Sequence, residues 1–123
     1  MSRHVLVVDD EPLILEVAAL SLETAGWTVS TAASGAEALE RAAADPPDAI
    51  LMDVMMPEMD GPTACRLLAG DPRTAPIPVI LLTAKVQRPG ESRWDELPIQ
   101  GVLGKPFDPW GLAADVAKLL EWA

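Results

Sequence analysis

The chain has 123 residues, half of them hydrophobic, and nineteen acidic against nine basic side chains give it a formal net charge of −10 at pH 7. This length predicts one domain with a single core and no appended effector domain, and the acidic surface disfavours direct binding to nucleic acid. The single cysteine, Cys65, excludes an intrachain disulfide, and no apolar run is long enough for a signal peptide or a membrane span. We therefore expect a cytoplasmic chain.

Short apolar runs recur along the chain and predict the strands of a sheet. They lie at residues 5–8, 27–32, 49–52 and 79–83, with a weaker fifth run at 101–104. Three of the runs are apolar on both faces, which is typical of parallel strands covered on both sides.

Helical segments are predicted between these runs. Pro12 suits the opening turn of a first helix that Gly26 ends, and Ser34 and Glu37 have the capping-box spacing ahead of a second helix. The remaining predicted helices cover residues 62–69, a short stretch at 92–97 after the Pro89-Gly90 break, and a last helix that begins at Asp108-Pro109 with Leu112, Val116, Leu119 and Leu120 on one face.

The alternation of strands and helices predicts an open, doubly wound α/β domain with a parallel sheet and helices on both faces. Ligands of such sheets bind beyond the carboxyl ends of the strands. The polar residues at those ends are Asp9 and Asp10, Asp53, Thr83 and Lys105. We expect them to share one site.

The residue types at this edge indicate phosphoryl transfer. Carboxylates about 4 Å apart repel by roughly 4 kcal/mol per pair at an effective dielectric of about 20, and a divalent cation would relieve that repulsion. Oxygen ligands without a Cys/His cluster favour Mg²⁺ or Mn²⁺. Thr83 can donate a hydrogen bond and Lys105 can supply a charge to a phosphoryl oxygen. An Asp-Asp pair before a helix can also be only an N-terminal cap.

Five motifs together resemble the receiver domain of bacterial two-component response regulators. They are Val7-Val-Asp-Asp-Glu-Pro12, Leu51-Met-Asp-Val-Met-Met-Pro57, Met59-Asp-Gly61, Leu82-Thr-Ala-Lys85 and Gly104-Lys-Pro-Phe107. The resemblance covers essentially the whole chain, residues 1–123. It implies a flavodoxin-like five-stranded sheet in the order 2-1-3-4-5.

The resemblance also implies a role for each site residue. Asp53 would be the phosphoacceptor, Asp10 would bind Mg²⁺ directly and Asp9 mostly through water, and Met55 would add its backbone carbonyl. Thr83 and Lys105 would contact the phosphoryl group. The bond from Lys105 to Pro106 is expected to be cis, and Ala84 is small where a phosphodonor must approach.

The expected function is that of a stand-alone signalling module rather than an enzyme. A sensor histidine kinase or a histidine phosphotransfer protein would donate the phosphoryl group, and an unidentified downstream protein would bind the altered surface. We expect no nucleic-acid or membrane partner, and a monomer or weak dimer. Val102 stands where many receivers carry an aromatic switch residue. The output surface is expected at the fourth and fifth predicted helices and the fifth strand, with Trp94 and Trp110 near its margin.

Two other functions fit parts of the pattern. A haloacid-dehalogenase-type phosphatase also uses an aspartate, Mg²⁺, Lys and Thr, but its nucleophile follows the first strand, whereas Asp53 follows the third. A flavodoxin-like module would bind flavin mononucleotide, but the first loop here is acidic and lacks a phosphate cradle rich in Ser, Thr and Gly.

Overall fold

The computed structural model describes residues 3–84 and 97–122, and these ranges contain five strands and four helices. The strands are β1 (His4–Val8), β2 (Thr28–Ala32), β3 (Ala49–Asp53), β4 (Val79–Thr83) and β5 (Gly101–Gly104). The helices are α1 (Pro12–Thr24), α2 (Gly35–Ala44), α3 (Gly61–Ala69) and α4 (Leu112–Leu120). Within the described part of the chain, no helix combines the length and the apolar character that crossing a membrane would require.

All strands pair in parallel in one sheet of order β2-β1-β3-β4-β5. β1 lies between β2 and β3, so that Val5 is opposite both Val29 and Ala49. Every residue of β3 and β4 is buried, whereas β5, at the sheet edge, is half-buried throughout. The predicted fold class, the five strands and their order are confirmed.

Successive strand residues alternate between two apolar layers, one on each face of the sheet. Leu6, Ile50 and Leu81 pack on one face with residues of α2 and α3. Val7 and Leu51, which follow two of them in the chain, pack on the other face with residues of α1 and α4. This period of two is why the central strands need apolar residues at every position.

The first helix and the start of the second lie where the sequence indicates. Pro12 opens α1, and Gly26, with a φ of 90°, follows its end. The Trp27 and Gly26 N–H groups donate to carbonyls of the last turn, which closes a Schellman motif that needs a left-handed residue at Gly26. The Ser34 side chain accepts a hydrogen bond from the Glu37 N–H at 3.1 Å, as the capping-box spacing predicts.

The prediction for the start of the last helix is wrong by several residues. α4 begins at Leu112, because the Asp108 side chain accepts a hydrogen bond from the Trp110 N–H at 3.0 Å and shapes a turn there instead of capping a helix. The predicted apolar face holds, since Leu112 and Val116 are buried.

Trp110 is 91% exposed and lines a groove together with Leu20 and Ser21 of α1. Its expected place at the margin of the output surface stays a prediction. The predicted short helix at residues 92–97, the Pro89-Gly90 break and Trp94 lie outside the described residues, except for Leu97, which is buried in the core.

Candidate functional site

The predicted polar residues stand at the carboxyl ends of four neighbouring strands. Asp9 directly follows β1, Asp53 ends β3, Thr83 ends β4 and Lys105 follows β5. The parallel pairing brings these ends to one edge of the sheet. The topology therefore gathers residues that are up to 96 positions apart in the sequence.

Three carboxylates form a compact acidic cluster at this edge. Asp9, Asp10 and Asp53 each offer an oxygen, and these three oxygens all lie within 4.8 Å of one another. Asp9 and Asp53 are buried, whereas Asp10 is exposed. A backbone contact orients the Asp9 side chain, because its Oδ1 accepts a hydrogen bond from the Glu11 N–H at 2.9 Å.

Lys105 joins two members of the cluster. Its Nζ lies 2.9 Å from Asp9 Oδ2 and 3.1 Å from Asp53 Oδ1, and only 14% of its side chain is exposed. Its backbone N–H donates to the Thr83 carbonyl at 2.8 Å, and the bond to Pro106 is cis, as predicted. The ammonium group thus holds together two buried carboxylates that would otherwise repel each other.

The electrostatics of the cluster follow from burial and from these contacts. Burial raises the pKa of Asp53 above its ordinary value, and the neighbouring carboxylates of Asp9 and Asp10 add to the shift, while the hydrogen bond from Lys105 opposes it. Burial lowers the pKa of Lys105, but its hydrogen bonds to Asp9 and Asp53 outweigh that effect and leave the pKa raised. Lys105 therefore stays charged, and Asp53 is a carboxylate held in a costly environment.

The remaining predicted residues surround this cluster. Thr83 is buried beside Asp53 in the sheet, because Asp53 pairs with Leu82 and Thr83 follows it. Met55 lies in the loop after β3 with 77% of its surface exposed, and Ala84 is exposed directly after β4. The residues that follow β3 and β4 therefore expose an apolar side chain, Met55, and a small one, Ala84.

The donor set fits a hard divalent cation. The three oxygens within 4.8 Å come from carboxylates, and Asp10 is open to solvent, so that water can complete the coordination.

Cys65, the only cysteine, is buried in the core, and burial raises the pKa of its thiol to about 12. Cys65 is therefore a packing residue rather than a nucleophile.

Sequence reasoning assigned no role to Gly61, although it noted the Met59-Asp-Gly61 motif. A Cβ atom at Gly61 would lie 2.4 Å from the Asp53 carbonyl oxygen, so only glycine fits against the end of β3. In the sequence, this glycine directly follows Asp60. Asp60 caps α3, because its side chain accepts a hydrogen bond from the Thr63 N–H at 2.8 Å. A cap alone does not predict that close contact.

Known proteins resemble this chain over nearly its full length. The PleD response regulator of Caulobacter vibrioides is 44% identical over 122 residues, which cover 99% of this chain and 27% of that protein. RpaA of Synechocystis sp., described as a DNA-binding dual master transcriptional regulator, is 38% identical over 118 residues, which cover 96% of this chain and 49% of that protein. The chain thus spans half or less of the length of these relatives.

Solved structures share the fold as well as the sequence pattern. A response regulator from Chloroflexus aurantiacus superimposes with a TM-score of 0.88 at 35% identity, covering 98% of this chain and 99% of that one. The chemotaxis response regulator CheY4 of Vibrio cholerae gives a TM-score of 0.89 at 30% identity, covering 97% and 99%. The sequence profile of the family described as the response regulator receiver domain matches residues 5–117. The chain therefore belongs to the response regulator receiver family, which carries the phosphoacceptor function of two-component signalling.

Proposed function

We propose that Asp53 accepts a phosphoryl group at this site and that the change alters a partner-binding surface of the domain. The observation that carries the proposal is the buried Asp53 carboxylate, held 3.1 Å from the Lys105 ammonium at the edge where Asp9 and Asp10 converge. A buried carboxylate beside two others is costly for a merely structural residue, and the cost is understandable where it supports a reaction.

Asp9, Asp10 and Asp53, with the Met55 backbone carbonyl, would hold Mg²⁺ or Mn²⁺. The bound cation would neutralise the acidic cluster and stabilise the charge on the transferring group. The three carboxylates support this assignment because their oxygens already lie within 4.8 Å of one another.

The chain's own residues do the rest of the chemistry. An Asp53 oxygen forms a bond to the donor's phosphorus while the bond from phosphorus to the donor's histidine nitrogen breaks, and the product is an acyl phosphate on Asp53. The reaction needs ionised Asp53, and the hydrogen bond from Lys105 favours that form. The Lys105 ammonium and the Thr83 hydroxyl then contact the phosphoryl oxygens.

The phosphoryl donor is a sensor histidine kinase or a histidine phosphotransfer protein, and the output is binding of a downstream protein. The domain acts as a phosphoacceptor that assists its own phosphorylation rather than as an enzyme on a separate substrate. A single-domain chain of residues 1–123, a cytoplasmic location, a monomer or weak dimer, and the lack of nucleic-acid and membrane partners stay predictions of the sequence.

The experiment is labelling with acetyl phosphate followed on a phosphate-affinity gel. Wild-type protein with Mg²⁺ should give a shifted band, and excess chelator should remove it. Asp53→Asn should give no shifted band, whereas Asp48→Asn, at the aspartate directly before β3, should label as wild type does. Undiminished labelling of Asp53→Asn would show that another residue is the acceptor.

A further inference from the structure

The loop that carries the chain from Asp53 to α3 is closed on itself. The Gly61 N–H donates to the Val54 carbonyl at 2.9 Å, so residues 54–60 leave β3 and return to it. Glu58 has a φ of 68°, which is a left-handed conformation that is unfavourable for a residue with a side chain. Contacts elsewhere must hold the loop in this shape.

One of those contacts is between Gly61 and the backbone at the end of β3, which cannot rotate out of the way as a side chain can. A Cβ at Gly61 would lie 2.4 Å from the Asp53 carbonyl oxygen and 3.1 Å from the Val54 Cα. The start of α3 is therefore pressed directly against the residue that carries the acceptor carboxylate. A displacement at either end of the loop is passed to Asp53.

The second contact lies at the other end of the loop, on α2. The Met59 side chain crosses Gly35, the first residue of α2, and a Cβ at Gly35 would lie 2.9 Å from Met59 Sδ, 3.0 Å from Cγ and 3.1 Å from Cβ. Rotation of the thioether end alone would not relieve the clash, because Cγ, at 3.0 Å, is also too close. An added methyl group would therefore displace the Met59 side chain, and with it the loop, by a few tenths of an ångström.

The surface against which Met59 packs is fixed. The Ser34 hydroxyl accepts from the Glu37 N–H at 3.1 Å, and Glu37 Oε1 accepts from the Ala33 N–H at 2.6 Å, so both sides of the α2 start are tied down. Gly35 itself is buried. If a methyl group is added there, the loop has to move, because α2 is held.

We propose that Gly35 is a positioning residue for the phosphoacceptor, acting through Met59 and the loop of residues 54–60. Gly35 belongs neither to the acidic cluster nor to the contacts of Lys105. Because Gly35 has no side chain, Met59 can pack against α2 and hold the loop of residues 54–60 in place beside Asp53. This inference rests on the proposed function of Asp53.

The test compares labelling rates of four variants with acetyl phosphate at saturating Mg²⁺. Gly35→Ala should label about tenfold more slowly than wild type, because a displacement well below 1 Å at a reacting group already costs a substantial part of the roughly hundredfold loss that 1 Å can cause. Gly35→Ala/Met59→Ala should recover to within about threefold of wild type, because the clashing Sδ and Cγ atoms are gone. Met59→Ala alone measures the effect of lost packing.

Gly70→Ala is the matched control. A Cβ at Gly70 would meet its nearest atom, the Arg66 carbonyl oxygen, at 3.4 Å, which is ordinary contact. This variant should label at the wild-type rate. Thermal unfolding of each variant separates slow labelling of folded protein from loss of the fold.

Each result decides between the alternatives. A folded Gly35→Ala that labels at the wild-type rate overturns the proposal, as does a double variant that stays as slow as Gly35→Ala. If Gly35→Ala does not fold, the methyl resonance of Met59 in wild-type protein decides: it should shift on adding Mg²⁺ and beryllofluoride, and an unmoved resonance contradicts the coupling. A wild-type chain that takes no label contradicts the proposed function itself.

Discussion

Asp10→Asn should stabilise the domain when no divalent cation is present. Asp10 is the exposed member of the acidic cluster, while Lys105 pairs with its two buried neighbours, Asp9 and Asp53. The substitution keeps the shape of the side chain and removes one negative charge. It therefore relieves repulsion without breaking the contacts of Lys105.

The size of the effect follows from the 4.8 Å within which the three oxygens lie. At that separation, each repulsion is about 3.5 kcal/mol at a dielectric of about 20 and about 1 kcal/mol in water. Asp10 is exposed, so the lower value applies, and two neighbours give about 2 kcal/mol. The positive charge on Lys105 reduces this sum, and a carboxylate near the start of α1 is favoured by about 0.3–1 kcal/mol. The net gain should be about 1 kcal/mol.

Denaturant unfolding in chelator and in Mg²⁺ measures this gain. In chelator, Asp10→Asn should unfold at a higher denaturant concentration than wild type, with an unchanged slope. In Mg²⁺, the order should reverse, because the cation binds the wild-type folded state more tightly and stabilises it by mass action. Glu11→Gln removes an equal charge at the next exposed position, outside the cluster. An Asp10→Asn variant that is less stable than wild type in chelator, or that behaves like Glu11→Gln in both conditions, would refute the reasoning.

Three further predictions concern the groups around the site. Lys105→Met should destabilise the chelated protein by about 3 kcal/mol, because two buried carboxylates lose their partner, and Mg²⁺ should recover part of the loss in equilibrium unfolding. The pKa of Lys105 is raised in the folded chain. The stabilisation that Lys105 provides should therefore be complete below the ordinary lysine pKa of about 10.4 and disappear as pH rises through the pKa of the folded state. A stabilisation that already declines below pH 9 would contradict the raised pKa. Asp60→Ala should cost about 1 kcal/mol through loss of the α3 cap. Because the hydrogen bonds that the Asp60 carboxylate accepts from Thr63 lower its pKa, the cost should be full above about pH 4 and shrink as pH falls through the folded value. A cost that stays constant throughout the acid range would contradict the charged cap. Cys65, whose pKa is raised to about 12 by burial, should react with a thiol reagent in denaturant but not in buffer, and rapid labelling of the folded chain would contradict its place in the core.

The strands and the edge that holds the site were predictable because they depend on local patterns. β3 and β4 are buried at every residue, and an apolar run with a polar residue at its end shows both the strand and its carboxyl terminus. The position of Asp53 and Lys105 at one edge then follows from parallel topology. The resemblance supplied the order of the strands, which hydrophobic pattern alone does not fix.

What the sequence did not reveal depends on side chains from distant elements. The sequence predicts Lys105 at the site, but it does not predict that its Nζ lies 2.9 Å from Asp9 Oδ2, a contact between residues 96 positions apart. Asp108 was expected to start a helix, because a cap and an Asx turn begin with the same residue types. The contact of Gly61 with Asp53 depends on how closely α3 approaches β3. No local pattern encodes that distance.

The measurement that tests the central claim most directly is chemical identification of the acceptor atom. Borohydride reduces an aspartyl phosphate to homoserine, and peptide mass spectrometry then shows which residue carried the phosphoryl group. After treatment with acetyl phosphate and Mg²⁺, homoserine should be found at position 53 alone, and excess chelator should abolish it. Homoserine at position 9 or 10 instead, or at no position in a folded, Mg²⁺-loaded chain, would contradict the account.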